Sequence, residues 1–140
     1  MKVTGINGKE YCWNLTKYDV YLDDKRKRSQ YHVKARELLK EIFHSYRILE
    51  EVKLPGSTAS NKKSVLYLDF YIPTIRRAFE IHGQQHYEYI TFFHKSKADF
   101  ILSQGRDMDK AEWCSINNIN LTVLKYSESK NEWRQHIESV

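Results

Sequence analysis

The sequence predicts an α/β domain in which helices flank a mixed central sheet. Three observations predict it. Leu66-Tyr67-Leu68-Asp69-Phe70-Tyr71-Ile72 and Ala78-Phe79-Glu80-Ile81-His82 alternate apolar and polar side chains with the period of half-buried strands. A segment with helical spacing precedes that pair and another follows it. A short apolar run, Leu121-Thr122-Val123-Leu124, reads as a buried strand after the second helix. The order helix, three strands, helix, strand is that of a mixed sheet with helices packed on it.

The elements follow in order. Val3 to Tyr11 contains Asn7-Gly8, a hairpin-turn signal, so residues 1–28 are expected to be an N-terminal arm or small hairpin ending in the basic run Lys25-Arg26-Lys27-Arg28. Residues 29–140 are expected to form the main domain. Ser29 suits the N-cap of a helix over about 30–44, with Ala35, Leu38, Leu39, Ile42 and Phe43 on one face. Ile48 to Leu54 reads as a strand stopped by Pro55-Gly56, and a polar loop leads to the hairpin over about 65–72 and 77–83. Pro73 cannot donate to a ladder and suits the turn between the two strands. The second helix is expected over about 97–117, turning Phe100, Ile101, Met108, Ala111 and Cys114 inward and ending at Asn117-Asn118. Gly105 inside it costs about 1 kcal/mol relative to alanine. A short helix over about 129–138 closes the chain, with Trp113 and Trp133 as core.

Composition narrows the classes. At 140 residues the chain is one domain by length, rich in tyrosine and without a low-complexity tract, so disorder is not expected for most of it. A net charge of +5 favours an anionic partner. Cys12 and Cys114 are far apart with no Cys-x-x-Cys, which argues against structural zinc or a disulfide framework and suits a reducing cytoplasm. No stretch approaches the ~20 apolar residues of a membrane helix, and no signal-peptide core is present.

The chemistry concentrates on the hairpin. A tight turn centred between Thr74 and Ile75 sets Asp69 opposite Glu80 and Tyr67 opposite His82. Directly opposed side chains have Cβ atoms roughly 4.5–5.5 Å apart, and like charges so placed repel. A fold gains little from that arrangement, whereas a divalent cation between the acids turns repulsion into binding. A one-residue slip would send the acids to opposite faces.

The element order, an acid on the second strand and Glu-x-basic on the third together resemble the PD-(D/E)xK nuclease superfamily. The likeness runs from about Ser29 to Tyr126 and is closest to the very-short-patch-repair-like endonucleases and the EDxHD homing endonucleases. It is carried by Leu54-Pro55-Gly56, Asp69-Phe70-Tyr71-Ile72-Pro73, Glu80-Ile81-His82-Gly83, Gln85-His86-Tyr87 and Arg106-Asp107. The resemblance implies a restriction-endonuclease-like αβββαβ core. It also implies a DNA endonuclease using Mg²⁺, for which Mn²⁺ substitutes. Asp69, Glu80 and the Ile81 carbonyl would be the metal ligands. His82 stands where most of the superfamily has lysine, as in the two branches named, and His86 resembles their second histidine. Either histidine suits handling of the nucleophile or of the leaving oxygen, since imidazole titrates near neutrality.

Further site candidates are positional. The first helix of such enzymes commonly carries a glutamate facing the site; Glu37 points away from the apolar face, and His32 is the better match. Alternation groups Glu50 with Ile48 and Val52, and Glu51 with Leu49 and Lys53, and Glu51 is preferred because its face is less apolar. Arg26, Lys27, Arg28, Lys95, Lys97 and Arg106 are candidate DNA contacts, the last for the scissile phosphate. The implied setting is a phage-type homing or mobile nuclease in the host cytoplasm, with a homodimer on duplex DNA as one way to cut both strands.

Plainer readings compete. Asp69 and Glu80 would serve as surface acids beside Arg76 or Arg77, Lys25–Arg28 as a solvated run, and Phe92-Phe93 as a hydrophobic plug. Arg106-Asp107-Lys110 reads equally as a helix-surface ion pair. Two rival functions remain: a non-catalytic DNA-binding module on the same fold, and a nuclease selective for mismatches, branched junctions or RNA.

Overall fold

A computed structural model describes residues 1–16, 29–57 and 65–139. The basic run Lys25–Arg28, with Arg26, Lys27 and Arg28, lies outside the described residues. Strands β1 (Lys2–Thr4) and β2 (Glu10–Cys12) form an antiparallel ribbon, and Gly8 takes φ +80° in its turn. Helix α1 (Gln30–Ile42) starts at Ser29, whose hydroxyl accepts the His32 N–H at 3.1 Å, and buries Ala35, Leu38 and Leu39. Strands β3 (Leu49–Leu54), β4 (Leu66–Ile72) and β5 (Arg77–His82) follow, then helix α2 (Lys97–Ile116), strand β6 (Asn120–Lys125) and helix α3 (Lys130–Glu138). The sheet order is β3-β4-β5-β6, antiparallel except for the parallel β5–β6 pair, so the expected mixed sheet is present.

The hairpin has the expected register. Phe70 pairs with Phe79, Tyr71 with Ala78 and Ile72 with Arg77, and the same step continued places Asp69 opposite Glu80. Its turn is a 3₁₀ segment, Pro73–Ile75, closed by Arg76 at φ 51°. Arg76 pays for that left-handed backbone with its guanidinium, which donates to the carbonyls of Asn117 and Asn118 beyond α2.

Each face of the sheet has its own apolar cluster. On one side α1 and α3 pack Leu38, Leu39, Trp133 and Ile137 against Phe70, Ile72, Phe79 and Leu124. On the other, Val3, Trp13, Leu49, Val52, Leu68, Tyr71 and Ala78 pack with Trp113 and Cys114 of α2. The ribbon belongs to this second layer. The Trp13 indole donates to the Lys53 carbonyl at 2.8 Å, and the Ile6 N–H donates to the Gly56 carbonyl at 2.8 Å. Gly56, at φ +68°, admits that approach, since a Cβ there would lie 2.8 Å from the Gly5 Cα.

Two expectations are corrected. Alternation along β3 fails at Glu51, a non-glycine residue at φ 50°. Leu49 and Val52, three apart, both enter the Trp113 cluster, whereas Ile48 belongs to the α1 side. A residue in the left-handed region reverses the strand's side-chain phase, so counting by twos across it misassigns faces. The inward face of α2 also differs. Ile101 is 65% exposed and Met108 73%, and Ala111 is exposed too; of the expected set only Cys114 is buried, with Phe100 half-buried. The helix turns Asp107 and Lys110 toward the sheet, where carboxylates and imidazoles receive them.

Candidate active site

Strand β5 builds the site by alternation. Ala78, Glu80 and His82 face α2, while Phe79 faces α1. In a strand a residue's N–H and C=O point to the same neighbour. The carbonyls of Arg76 and His82 accept from Asn120 and Tyr126 in the β6 direction, so the intervening odd-numbered peptides turn toward β4. The Ile81 N–H meets the Asp69 carboxylate there, at 2.9 Å from Oδ2, and the Ile81 carbonyl shares that edge. Asp69 and Glu80 are thus neighbours, and the Ile81 carbonyl lies along the same edge of β5.

Glu80 is 2% exposed. Lys110 Nζ stands 3.3 Å from its Oε1, yet no hydrogen bond of good alignment reaches that oxygen. Burial first, and then the neighbouring Asp69 charge, push the Glu80 carboxyl well above the usual carboxylate range, against the pull of Lys110.

The imidazoles follow from the turn after β5. Gly83 leads into a 3₁₀ segment, Gln84–His86, that brings His86 back over His82. The rings stack with centroids 4.2 Å apart and planes within 5°. His86 Nδ1 lies 2.8 Å from Oδ2 of Asp107, and His82 Nδ1 lies 3.2 Å from the Tyr87 hydroxyl. Burial and the proximity of His86 lower His82 to about 4, so it is neutral at neutral pH. Burial acts to raise Asp107, but the His86 hydrogen bond and charge outweigh it and hold the group below its ordinary value. His86 therefore donates from Nδ1 to a carboxylate, which fixes its orientation and leaves Nε2 for chemistry.

His82, His86 and Asp107 bring three potential metal-ligand atoms within 4.8 Å of one another. The stack works against a shared ion, however. Lone pairs lie in the ring planes, and parallel planes share no point, so one ring would have to turn first. The set reads better as a carboxylate-oriented imidazole pair beside the Asp69–Glu80 carboxylates.

The other expected residues fall elsewhere. His32 is buried on the α1 side, stacked on Phe70 at 4.5 Å, with Nε2 2.6 Å from Oε1 of Glu50. Arg36 adds bonds to Glu50 at 2.9 and 2.8 Å. Glu50, the glutamate passed over in the sequence, is therefore the partner of His32, with Phe70 beneath them. Glu51 is half-buried and falls opposite Asp69 when the β3–β4 register is continued. Its identity as the β3 acid in line with Asp69 and Glu80 rests on that register. Lys95, Lys97 and Arg106 are exposed, and His94 is buried, accepting the Ile90 N–H. Phe92 is 87% exposed, so Phe92-Phe93 is no plug.

Sequence reasoning missed Asp107, Lys110 and Tyr87 as parts of the site. A signal existed in the spacing of Phe100, Ser103, Asp107, Lys110 and Cys114, which share one helical face. It was hidden because apolar identity, not spacing, chose the inward residues.

Parts of this chain are similar to viral proteins. It shares 36% identity over 76 residues with Uncharacterized protein 307L of Invertebrate iridescent virus 6, covering 54% of this chain and 39% of that protein. Uncharacterized protein 094L of Frog virus 3 (isolate Goorha) is 32% identical over 88 residues, covering 59% of this chain and 57% of the relative. Uncharacterized protein 033L of Invertebrate iridescent virus 3 is 36% identical over 62 residues, covering 44% of this chain and 32% of the relative. The matched regions thus span between about a third and just over half of these relatives. No family model and no solved structure matches the chain. No helix among the described residues is long and apolar enough to cross a membrane.

Proposed function

We propose that the protein is a Mg²⁺-dependent endodeoxyribonuclease of the PD-(D/E)xK type, with a restriction-endonuclease-like core. The observation that carries this reading is the meeting of Asp69 and Glu80 beside a stacked histidine pair, with a buried Glu80 oxygen that no aligned hydrogen bond satisfies. The donors fit the ion: two carboxylates and a backbone carbonyl are hard oxygen ligands, which suit Mg²⁺ more than a thiolate-seeking metal. Asp69, Glu80 and the Ile81 carbonyl would hold it. Bound there, the ion supplies charge neutralisation at a phosphate and lowers the pKa of water.

The chain's own groups divide the remaining work. His82, neutral and buried, accepts a proton or orients a water through its ring nitrogen. His86, held by Asp107 at Nδ1, presents Nε2 as the second proton-handling atom. Lys95, Lys97 and Arg106 are exposed cations for the DNA backbone, and a net charge of +5 favours that encounter. Similarity to iridovirus proteins accords with a viral setting. A mobile or homing role in a host cytoplasm and a homodimer on duplex DNA belong to the same proposal.

One observation favours a narrower substrate. Phe92 and Phe93 pack edge to face at 5.0 Å on a solvent-exposed loop whose base His94 anchors. Exposed aromatic faces next to lysines suit stacking on unpaired bases, as in mismatches or branched junctions. The test is plasmid, mismatched, branched and RNA substrates side by side with Mg²⁺, Mn²⁺ or EDTA. Metal-dependent cutting lost in Asp69→Ala and Glu80→Ala, with DNA binding retained, is expected. Robust cutting by both variants overturns the assignment, and metal-free binding without cutting favours the non-catalytic module.

A further inference from the structure

Lys110 lies on the sheet-facing side of α2, between Asp107 and Cys114. Its side chain is 16% exposed, and its ammonium points inward to a carboxylate that is almost wholly buried. Lysines usually lay the stem along a surface and keep the charge in water. Here the charge is turned to the side of the sheet where Asp69 and Glu80 meet.

Two features set this contact apart from a structural ion pair. The ammonium lies 3.3 Å from Glu80 Oε1, but that oxygen has no aligned hydrogen bond. An ammonium rotates three donors on a flexible stem, so a lysine dedicated to Glu80 would reach it in line. Arg36 reaches Glu50 in just that way, at 2.9 and 2.8 Å. The same positive charge also bears on His82, Asp107 and Cys114, so it is felt across the whole cluster. Lys110 is a loosely seated monovalent cation beside Glu80, the acid that meets Asp69.

We propose that Lys110 is a resident counter-ion whose ammonium stands in for a divalent cation at Asp69 and Glu80 and is displaced when that cation binds. The inference rests on the metal-site reading above and adds a competitor to it. Displacement forms and breaks no covalent bond; a single charge moves aside and a double charge enters. Divalent affinity is then set by competition with the lysine as well as by the ligands, and the metal-free protein tolerates two adjacent carboxylates.

Calorimetric titration with Ca²⁺ alone, at pH 8 and without DNA, compares the wild-type chain with Lys110→Met, which keeps an apolar stem. The variant is expected to bind Ca²⁺ about tenfold more tightly or better. Unchanged or weaker binding by the variant, with wild-type binding intact, overturns the counter-ion role and leaves the metal site standing. Absence of Ca²⁺ binding in both overturns the metal site and this inference together. Amine acetylation read by peptide mass spectrometry tests the unmodified chain. Ca²⁺ is expected to raise labelling of Lys110 several-fold while Lys34 and Lys95 stay constant, and to have no such effect in Glu80→Gln. Constant labelling of Lys110 with Ca²⁺ bound overturns the displacement.

Discussion

Glu50 and Glu80 lie on opposite faces of the same sheet, and their surroundings differ in kind. Glu50 accepts two bonds from Arg36 and pairs with His32, which lies on Phe70. Burial alone would raise its pKa, but the hydrogen bonds from His32 and Arg36, with their charges, bring it down to about 2. Glu80 is more deeply buried and faces the like charge of Asp69, and these outweigh the pull of the Lys110 ammonium, so its pKa moves the other way. The fold bonds both oxygens of Glu50, while Oε1 of Glu80 has no aligned hydrogen bond. The proposed chemistry lies on one face of the sheet and a satisfied ion-pair network on the other.

The sharpest test of that contrast is catalytic. Glu80→Gln is expected to lower Mg²⁺-dependent nicking of supercoiled plasmid by ~10³-fold or more, while Glu50→Gln keeps activity in the molecules that remain folded. Equal losses in both variants would erase the distinction. Next in size, Asp107→Asn should free His86 from its carboxylate and reduce kcat by about 10²-fold with little change in DNA binding measured by gel shift. A loss confined to binding would move Asp107 out of the site.

Stability should reverse the order. Glu50→Gln leaves Arg36 and His32 without their carboxylate and should cost about 3 kcal/mol in urea unfolding. The pH course follows from the depressed folded value. Glu50 contributes stability that is fully present above its unfolded pKa of 4.5 and is lost as pH falls toward 2. The gap between wild type and Glu50→Gln should therefore close over that window. Smallest of all, Glu80→Gln should raise stability at pH 7 by about 1 kcal/mol, because it replaces a buried carboxyl whose ionisation burial and Asp69 oppose. A marked fall in Tm instead would mean that the Lys110 contact is a structural ion pair.

Much of the fold was legible because local rules agreed with tertiary ones. Ser29 caps α1, Asn7-Gly8 turns the ribbon, and Pro73 opens the hairpin turn, each through chemistry confined to a few residues. The register of β4 and β5 followed from that turn, and with it the meeting of Asp69 and Glu80. Legibility ended where a local rule was broken. Glu51 takes a left-handed backbone that no pattern announces, and it reversed the faces assigned to β3. Asp107 and Lys110 were hidden because α2 turns these half-buried polar side chains toward the sheet while exposing Ile101 and Met108.

The sequence by itself determined the order of elements, the mixed sheet, and the carboxylates and imidazole carried by one hairpin, because period and turn chemistry act over a few residues. Only the tertiary structure decided which glutamate is satisfied, which helix residues meet the hairpin, and that a lysine reaches the buried Glu80. Those outcomes depend on partners brought from distant positions by packing, and no local spacing encodes the angle at which α2 crosses the sheet.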